Sequence, residues 1–443
     1  MIFFQKFFKI ISKITKLIVC ISILSSNATS APIQIQWWHS MDGRLGEALN
    51  HIVDAFNKSQ KEYQVVATYR GNYTESLNAA IAAYRGNKHP HILQVFEVGT
   101  LTMMNSGAII PTHQLFRDNN ITVDWNDFIQ PILSYYKDKN DHLMSMPFNS
   151  STPILYVNSD ILKKTKIDSM PSTWEDLYAD SKKVRDAGIK CGSSFAWQSW
   201  VLIENFSAIH DIPIATKANG FEGLDAKMTL SNPLLIENIK RLSDNIKSNA
   251  FSYEGRRSEP ARTAFLTGKC AFYMDSSSSL TTVKNLAKFK FAVTQLPVYK
   301  KMQSKRQNSI VGGASLWAFK KHPAKENTGV ARFMHFLAQT ENQIYWHKKT
   351  GYLPITKTAY QKLKQEKYYE KEPDQEVAIT QLLNGSPNKN SKGIRLGGFS
   401  QIREVINEEL EKVWAGKASA QNSLTAIERR ANVILEKYAR TVR

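Results

Sequence analysis

The stretch Met146-Pro-Phe-Asn-Ser-Ser-Thr-Pro-Ile-Leu-Tyr-Val-Asn158 decides the fold. Its second half, from Ile154 to Val157, is a short apolar run of β-favouring residues, which predicts a buried strand. Residues 149–152 before it carry short amide and hydroxyl side chains, and Pro147 and Pro153 on either side disfavour helix. A stiff polar segment leading into a buried strand favours a crossover between two lobes, with its hydroxyls facing the gap. The alternative is an ordinary strand start with turn residues.

Length and composition indicate a two-domain, exported protein. A chain of 443 residues is too long for one ordinary core, and a hydrophobic share of 42% with a charged share of 22% is typical of soluble globular proteins. Four lysines precede the apolar run from Leu17 to Leu24, which is too short to span a bilayer, and small residues follow. This pattern predicts a signal peptide over residues 1–30, cleaved after Ser30. Because Val19 precedes Cys20, no lipoprotein anchor is predicted, and no later run has the character of a membrane helix.

The strong positive charge is interpreted as solvated helix faces. The net charge is +19, and it falls to +15 without the four lysines of the leader. A basic chain can indicate nucleic acid as a partner. However, the lysines are scattered through helical segments, and the sequence has no zinc-finger spacing and no aromatic RNA-binding motif. We therefore expect no nucleic-acid partner.

Two cysteines remain after cleavage, Cys191 and Cys270. In an oxidising compartment an even number of cysteines permits a disulfide. Two separate buried thiols are the alternative.

The chain begins with a βαβαβ pattern, whose strands are predicted over Ile33–Trp38, Tyr63–Tyr69 and His91–Phe96. Such a pattern implies a mostly parallel sheet with helices on both faces. Ligands of such sheets bind beyond the carboxyl ends of the strands. That rule places three segments along one rim: Trp38–Ser40, Gly71–Tyr73 and Glu97–Gly99.

A second α/β unit follows the crossover. Thr173-Trp-Glu-Asp176 has the form of a capping box and predicts a helix start. A strand over Phe289–Leu296 is expected to return the chain to the first lobe, and one helix is expected from about Asn327 to Lys348. Gly351–Pro354 is interpreted as a second crossing. The predicted lobe 1 comprises residues 31–145 and about 290–348, and the predicted lobe 2 comprises about 146–289 and 349–443.

Catalytic motifs are missing from the sequence. His39-Ser40 is not accompanied by a Gly-x-Ser-x-Gly elbow, and there is neither a His-Glu-x-x-His motif nor a convincing metal-ligand cluster. Glycosidase chemistry needs two positioned carboxylates, and Glu97 has no evident second acid. We therefore predict no enzymatic activity, no metal and no cofactor.

A binding protein explains the pattern better, because two α/β lobes with aromatic residues at strand ends favour a cleft for a small ligand. Ser276 opens a helix after a strand, where backbone N–H groups attract anions. Gly313 allows close approach of the backbone to a ligand. Arg395 carries the fork that grips phosphate, although a surface arginine is the alternative. Trp197 and Trp200 are candidates for a wall against a carbon skeleton, with core packing as the alternative.

Several motifs, in order, carry a family resemblance that runs from about Ile35 to the C-terminal helices. They are Trp38-His-Ser-Met41, Tyr69-Arg-Gly-Asn-Tyr73, Ile92-Leu-Gln-Val95, Glu97-Val-Gly-Thr100, Pro147-Phe-Asn-Ser-Ser-Thr-Pro153, Glu204-Asn-Phe-Ser207, Gly312-Gly-Ala-Ser-Leu-Trp317, Thr350-Gly-Tyr-Leu-Pro-Ile-Thr356 and Arg395-Leu-Gly397. With these motifs the chain resembles the glycerol-3-phosphate-binding members of the extracellular solute-binding protein family 1 of ABC importers, which also includes maltose-binding protein.

The resemblance implies a type II periplasmic-binding-protein fold, similar to maltose-binding protein, whose two lobes close on sn-glycerol 3-phosphate. It implies a periplasmic monomer that delivers the ligand to membrane permease subunits driven by their ATPase. The family's ligand contacts fall on Tyr73, Glu97, Ser151, Ser276, Gly313, Tyr352 and Arg395, and its paired tryptophans on Trp197 and Trp200. Our hypothesis assigns the phosphate to Ser276, the Gly313 N–H, Tyr352 and Arg395. It assigns the glycerol hydroxyls to Glu97 and the carbon chain to the tryptophans.

Two positions depart from the family's pattern: Ser278 stands where glycine is common, and Phe96 where tyrosine is common. Three alternatives stay open. The main ligand is a glycerophosphodiester such as glycerophosphocholine, the protein binds a sugar, or it is an exported enzyme that acts on phosphodiesters.

Overall fold

The computed structural model of the protein describes residues 31–442, so the predicted signal peptide lies outside the described residues. The strands of one sheet are β1 (Ile33–His39), β2 (Tyr63–Tyr69), β3 (Ile92–Phe96), β4 (Ile109–Ile110), β5 (Met146–Ser151) and β11 (Gly312–Phe319). Those of the other sheet are β6 (Pro153–Asn158), β7 (Cys191–Phe195), β8 (Phe251–Tyr253), β9 (Cys270–Ser276) and β10 (Phe291–Thr294). Within residues 31–442, no helix combines the length and the apolar character that crossing a membrane requires.

Helices cover both sheets. The longer ones are Gly43–Ser59, Tyr73–Arg85, Thr112–Asp118, Trp174–Asp186, Pro233–Lys247, Ser258–Leu266, Leu280–Leu286, Ala324–Ala338, Thr340–Thr350, Lys357–Gln365, Phe399–Trp414 and Ala420–Thr441. Shorter helices are Thr100–Met104, Gln130–Leu133, Ser159–Lys164, Phe206–Ile209, Tyr368–Lys371 and Val377–Leu382, and Ser199–Asn205 is a π-helix.

The first sheet has the order β2-β1-β3-β11-β4, with β5 paired to β11. β1 is parallel to both β2 and β3, which confirms the βαβαβ start, but β11 is antiparallel to β3, β4 and β5, so the expectation of a mostly parallel sheet is wrong. Helix Gly43–Ser59 buries Leu49, Ile52 and Phe56 in the core on one face of this sheet. A second cluster around Leu77 and Trp317 fills the other face. The carboxyl ends of β1 and β3 therefore come together at one rim.

The second sheet has the order β10-β6-β9-β7-β8. Its central strand β9 is antiparallel to β6 and parallel to β7. Helix Phe399–Trp414 packs its apolar face, with Ile402, Ile406 and Leu410, into the core of this lobe, because those positions recur at helical spacing.

The predicted crossover between the lobes is confirmed by strand pairing. β5 pairs with β11 in the first sheet, whereas β6 pairs with β9 in the second, and Thr152 alone separates the two strands. The Thr152 hydroxyl donates to the Ser309 hydroxyl over 2.6 Å and accepts from the Gln381 amide over 3.2 Å. These bonds fix the crossing point.

The prediction that Phe289–Leu296 returns the chain to the first lobe is wrong. This segment forms β10, which pairs antiparallel with β6 and stays in the second sheet. The return is made by β11. The apolar pattern of a short segment predicts that a strand exists but does not specify which strand it pairs with. Here β10 pairs with the edge of β6 that β9 leaves unpaired. The lobe boundaries otherwise stay a prediction.

Local signals near helix ends give mixed outcomes. The capping box is confirmed, since the Thr173 hydroxyl accepts from the Asp176 N–H over 3.1 Å and the Asp176 carboxylate accepts from the Thr173 N–H over 3.3 Å. The single helix expected to run to about Lys348 is instead two, separated at Gln339, whose backbone is extended.

Cys191 and Cys270 form a disulfide. They face each other in the parallel pairing of β7 and β9, with their Cα atoms 4.6 Å apart. Parallel register is what brings these two positions together, so the disulfide hypothesis is confirmed over two separate thiols.

Candidate functional site

An amide network fixes Tyr73 at the rim of the first lobe. The Asn149 carboxamide accepts a hydrogen bond from the Gln94 amide over 2.8 Å and donates one to the Tyr73 hydroxyl over 2.9 Å. Gln94 in turn accepts from the Ser40 N–H over 2.7 Å. Phe96 stacks on the Tyr73 ring with centroids 5.4 Å apart, so phenylalanine at this position keeps an aromatic wall without the hydroxyl. The network aligns the ends of β1, β3 and β5.

Tyr352 joins this network to the second lobe. It follows Gly351, which ends a helix in the left-handed conformation (φ +75°), and a Cβ there would lie 2.6 Å from the Ser277 carbonyl oxygen. The Tyr352 hydroxyl lies close enough to the side chains of Asn149, Tyr73 and Ser278 for them to lower its pKa against the effect of burial. Burial raises the pKa of Tyr352, so its hydroxyl stays neutral. Residues of both lobes therefore converge on one phenol.

The serine turn after β9 contributes further hydroxyls. Ser276 and Ser278 lie with their hydroxyl oxygens 2.9 Å apart, and the Ser278 N–H donates to the Ser276 hydroxyl over 3.2 Å. The 3-10 turn Ser277–Ser279 leads into helix Leu280–Leu286. The serine that replaces the common glycine at 278 thus adds a donor next to Tyr352.

Two adjacent glycines let β11 approach the other strands closely. Gly313 has φ +89°, and a Cβ there would collide with the Asn149 carbonyl. A Cβ at Gly312 would collide with the Trp200 ring. Ser151 pairs with Gly312 in the β5–β11 register and is 2% exposed. These glycines are required by the space around them.

The paired tryptophans have different environments. Trp200 is 6% exposed, belongs to the core of the second lobe, and its buried indole N–H has no hydrogen-bond partner among the described residues. Trp197 is 41% exposed and has φ +49°, a left-handed conformation that is strained for a bulky residue. Trp200 therefore packs in the core, as the alternative interpretation expects, although its indole N–H is left without a partner among the described residues. Trp197 does not pack in the core.

Glu97 is held by an arginine that sequence reasoning missed. Arg403 makes two parallel bonds of 2.7 Å to the Glu204 carboxylate and a third contact of 2.6 Å to Glu97. Burial raises the pKa of Glu97, and the Arg403 guanidinium opposes that shift. Burial would lower the pKa of Arg403, but the Glu204 and Glu97 carboxylates raise it. Glu97 comes from the first lobe, and Arg403 and Glu204 come from the second.

Arg395 is a buried cation without an acid partner among residues 31–442. Its side chain donates to the Tyr135 carbonyl over 2.8 Å, its buried Nε has no partner among the described residues, and the residue is 6% exposed. Burial lowers the pKa of Arg395 to about 10. Its backbone N–H donates to Asn219 over 2.9 Å. Buried charges are ordinarily paired, so the surface-arginine alternative is wrong.

Tyr135 connects Arg395 to the rest of the site. Its hydroxyl donates to the Ile394 carbonyl over 2.9 Å and lies 3.4 Å from the Glu97 carbonyl. Tyr135 thus contacts both Arg395 and the backbone of Glu97.

The predicted residues fall into three groups. Tyr73, Ser276 and Tyr352 meet around Asn149 and Ser278; Ser151, Gly313 and Trp200 gather where β5 meets β11; Glu97 and Arg395 flank Tyr135. Trp197 is partly exposed. Gln94, Asn149, Ser278 and Arg403 were not in the predicted set. Asn149 lies in the polar segment from which the crossover was predicted. The sequence around Arg403 predicts a helix and nothing about its contact with Glu97.

The chemistry of this set suits binding rather than bond cleavage. His39 is buried, its Nδ1 accepts from the Met41 N–H over 3.2 Å, and burial lowers its pKa to about 4. It is therefore a structural acceptor. The site offers hydroxyl donors, the Glu97 carboxylate and the Arg395 guanidinium, which has no acid partner among the described residues, and together these groups complement an anionic polyol.

A cluster of His91, His322 and Glu326 lies at the opposite end of β3. His91 Nδ1 accepts from the Gln36 N–H over 3.0 Å, so neutral His91 carries its proton on Nε2, 2.8 Å from Glu326. That proton occupies the position a metal would need, since each neutral imidazole has one lone pair. The cluster is therefore a hydrogen-bonded group.

Comparison with known proteins places the chain among binding proteins. The family described as bacterial extracellular solute-binding protein matches residues 51–376. The chain belongs to the bacterial extracellular solute-binding protein family. Within it, the chain is 45% identical over 430 residues to the sn-glycerol-3-phosphate-binding periplasmic protein UgpB of Yersinia enterocolitica, covering 96% of this chain and 98% of that protein. The UgpB of Pectobacterium atrosepticum is 44% identical over 428 residues, which is 96% of each chain. These relatives are binding proteins, which confirms that prediction over an enzyme.

Solved structures share the fold of this solute-binding protein. UgpB from Mycobacterium tuberculosis in complex with glycerophosphocholine aligns with a TM-score of 0.77 at 22% identity, covering 92% of this chain and 99% of that one. Maltose-bound MalE3 of T. maritima aligns with a TM-score of 0.74 at 17% identity, covering 90% and 99%. The predicted maltose-binding-protein-like α/β fold is confirmed.

Proposed function

We propose that this solute-binding protein captures sn-glycerol 3-phosphate between its lobes and delivers it to the permease subunits and ATPase of an ABC importer. The observation that carries the proposal is Arg395, a buried guanidinium with no acid partner among residues 31–442. A buried unpaired cation is costly unless a ligand compensates it. The UgpB relatives named as glycerol-3-phosphate-binding support this ligand. We further propose export to the periplasm by the signal peptide and action as a monomer.

Each site residue has a proposed role. Arg395 would supply charge-assisted bonds to phosphate, and the hydroxyls of Ser276, Ser278 and Tyr352 would supply neutral donors. The Gly313 N–H is assigned to the same phosphate. Glu97, kept in place by Arg403, would accept from the glycerol hydroxyls. Trp197 and Trp200 would cover the carbon chain.

Replacing Arg395 by alanine tests the proposal. A charge-assisted bond to the ligand predicts a loss of at least ~1.5 kcal/mol of binding free energy for sn-glycerol 3-phosphate, or more than about tenfold in Kd. Calorimetric titration measures it. R332A is the matched control, because Arg332 pairs with Glu62 on the surface of the first lobe. Unchanged affinity in R395A would remove Arg395 from the site.

A glycerophosphodiester is the second candidate ligand. The observation that favours it is the complex of M. tuberculosis UgpB with glycerophosphocholine, a protein of the same fold. Binding of the diester without binding of glycerol 3-phosphate would establish this alternative.

A further inference from the structure

Two cationic side chains share one aromatic ring at the edge of the site. The Arg395 guanidinium carbon lies 4.0 Å from the centroid of the Phe221 ring, and the Lys392 ammonium lies 4.3 Å from it. Each contact is a favourable cation–π pair. Together, however, they bring two like charges to one ring, and like charges at short range repel.

Neither cation is neutralised by an ion pair. The Lys392 ammonium has no hydrogen bond or ion pair among residues 31–442, and Arg395 has the Tyr135 carbonyl as its one acceptor. The charged groups that face them act from a distance, namely Glu222 on Lys392 and Asp138 on Arg395. Asp138 already accepts from the backbone N–H groups of Asn140 and His142. Neither cation therefore has an anion in direct contact among the described residues.

The backbone around the pair is built to hold it. Residues 217–219 adopt three consecutive left-handed conformations, with φ of 56°, 49° and 54°. This turn ends next to Gly220, where a Cβ would collide with the Arg395 carbonyl. The Asn219 side chain fixes the turn by accepting from the N–H groups of Ile214 and Ala215 over 3.0 and 3.1 Å. Left-handed L-residues are unfavourable, so the surrounding contacts must maintain this arrangement.

We infer that Lys392 selects the charge of the ligand, acting with Arg395 to favour a dianionic phosphate monoester over a monoanionic phosphodiester. This inference rests on the proposed function. A phosphate monoester loses its second proton near a pKa of about 6 and carries close to two negative charges at neutral pH, whereas a diester carries one. A second cation therefore gains more from the monoester.

A choline head group is disfavoured at the same place. Quaternary ammonium groups are bound by the faces of aromatic rings. The Phe221 ring already carries Lys392 and Arg395, so a cationic head group brought to it meets two positive charges. Lys392 thus favours glycerol 3-phosphate over glycerophosphocholine in two ways. It attracts the dianionic phosphate of the first ligand and repels the cationic head group of the second.

The test is titration of wild-type protein and K392M with sn-glycerol 3-phosphate and with glycerophosphoglycerol, a diester with an uncharged head group. At pH 7.5 we expect K392M to bind the monoester about tenfold more weakly and the diester only about threefold more weakly, because the Coulomb energy scales with the charge of the ligand. K392R keeps the charge and should keep the wild-type preference. K389M is the matched control, because Lys389 lies in the same segment, is exposed and loses the same charge.

A pH series adds a readout that a structural role would not move. Between pH 7.5 and 5.5 the monoester gains a proton and the diester does not, so the wild-type preference should shrink while that of K392M changes much less. Equal weakening of both ligands in K392M, or an unchanged ratio, would overturn the inference while the proposed function stands. Failure of the wild-type protein to bind either phosphoester would overturn the proposed function, and the inference with it.

Discussion

Replacing Arg403 by methionine should be the most damaging single change at the meeting of the lobes. Methionine keeps much of the volume and removes the charge. It leaves Glu204 and Glu97, whose side chains are 1% and 6% exposed, without their cation. Removing one partner of a buried ion pair costs about 3–5 kcal/mol because the remaining charge stays buried. Since two carboxylates lose one guanidinium here, we expect a loss of about 4 kcal/mol in the free energy of unfolding at pH 7.5.

Urea unfolding monitored by circular dichroism measures this loss. The control is R332M, because the Arg332–Glu62 pair has side chains that are 48% and 54% exposed, and exposed pairs contribute about 0–1 kcal/mol. Burial raises the pKa of Glu97 and Arg403 opposes that shift, so the penalty in R403M should shrink as the pH falls and Glu97 protonates. A loss below about 1 kcal/mol, or one equal to that of R332M, would refute the buried ion-pair reasoning.

Three further predictions concern the disulfide, a buried histidine and a glycine. Replacing Cys191 and Cys270 by serine opens a loop of 79 residues in sequence separation, so the free energy of unfolding should fall by about 4 kcal/mol, and an unchanged urea midpoint would contradict this. Burial lowers the pKa of His347 to about 4, so as the pH falls the unfolded chain binds a proton at this histidine before the folded chain does. The free energy of unfolding should therefore fall by about 3 kcal/mol from pH 6.5 to 4. H347Q should show a weaker dependence of thermal unfolding on pH. G312A should shift the fluorescence of Trp200, since the new methyl collides with its ring; an unshifted emission spectrum would show that β11 moves instead.

Much of the fold was predictable because local patterns determine it. The alternation in β1 and β2, the helical spacing of Leu49, Ile52 and Phe56, and the reciprocal cap at Thr173 each act over a few residues. The crossover was also predictable, because the polar residues before β6 indicate that the chain passes from one sheet to the other there. The partner of β10 was not, because the pairing of a strand is a tertiary property.

Candidate site residues could be predicted from the sequence where the residue type itself indicates a chemistry. They could not be predicted where the role depends on which distant residue they contact. Arg395 and Gly313 were predicted from their residue type, and the structure shows that Arg395 is buried and that Gly313 has a left-handed backbone, while their contact with a ligand stays a prediction. Arg403 was missed because nothing in its helix indicates that it meets Glu97, 306 positions earlier in the sequence. Likewise, nothing in the sequence distinguishes Trp197 from Trp200, so their different burial could not be predicted.

The most direct test of the central claim is calorimetric titration of the purified mature protein with sn-glycerol 3-phosphate, with maltose in parallel. The account predicts saturable binding of one equivalent of glycerol 3-phosphate per chain and no heat of binding with maltose. Binding of maltose, or no binding of glycerol 3-phosphate at millimolar concentration, would contradict it.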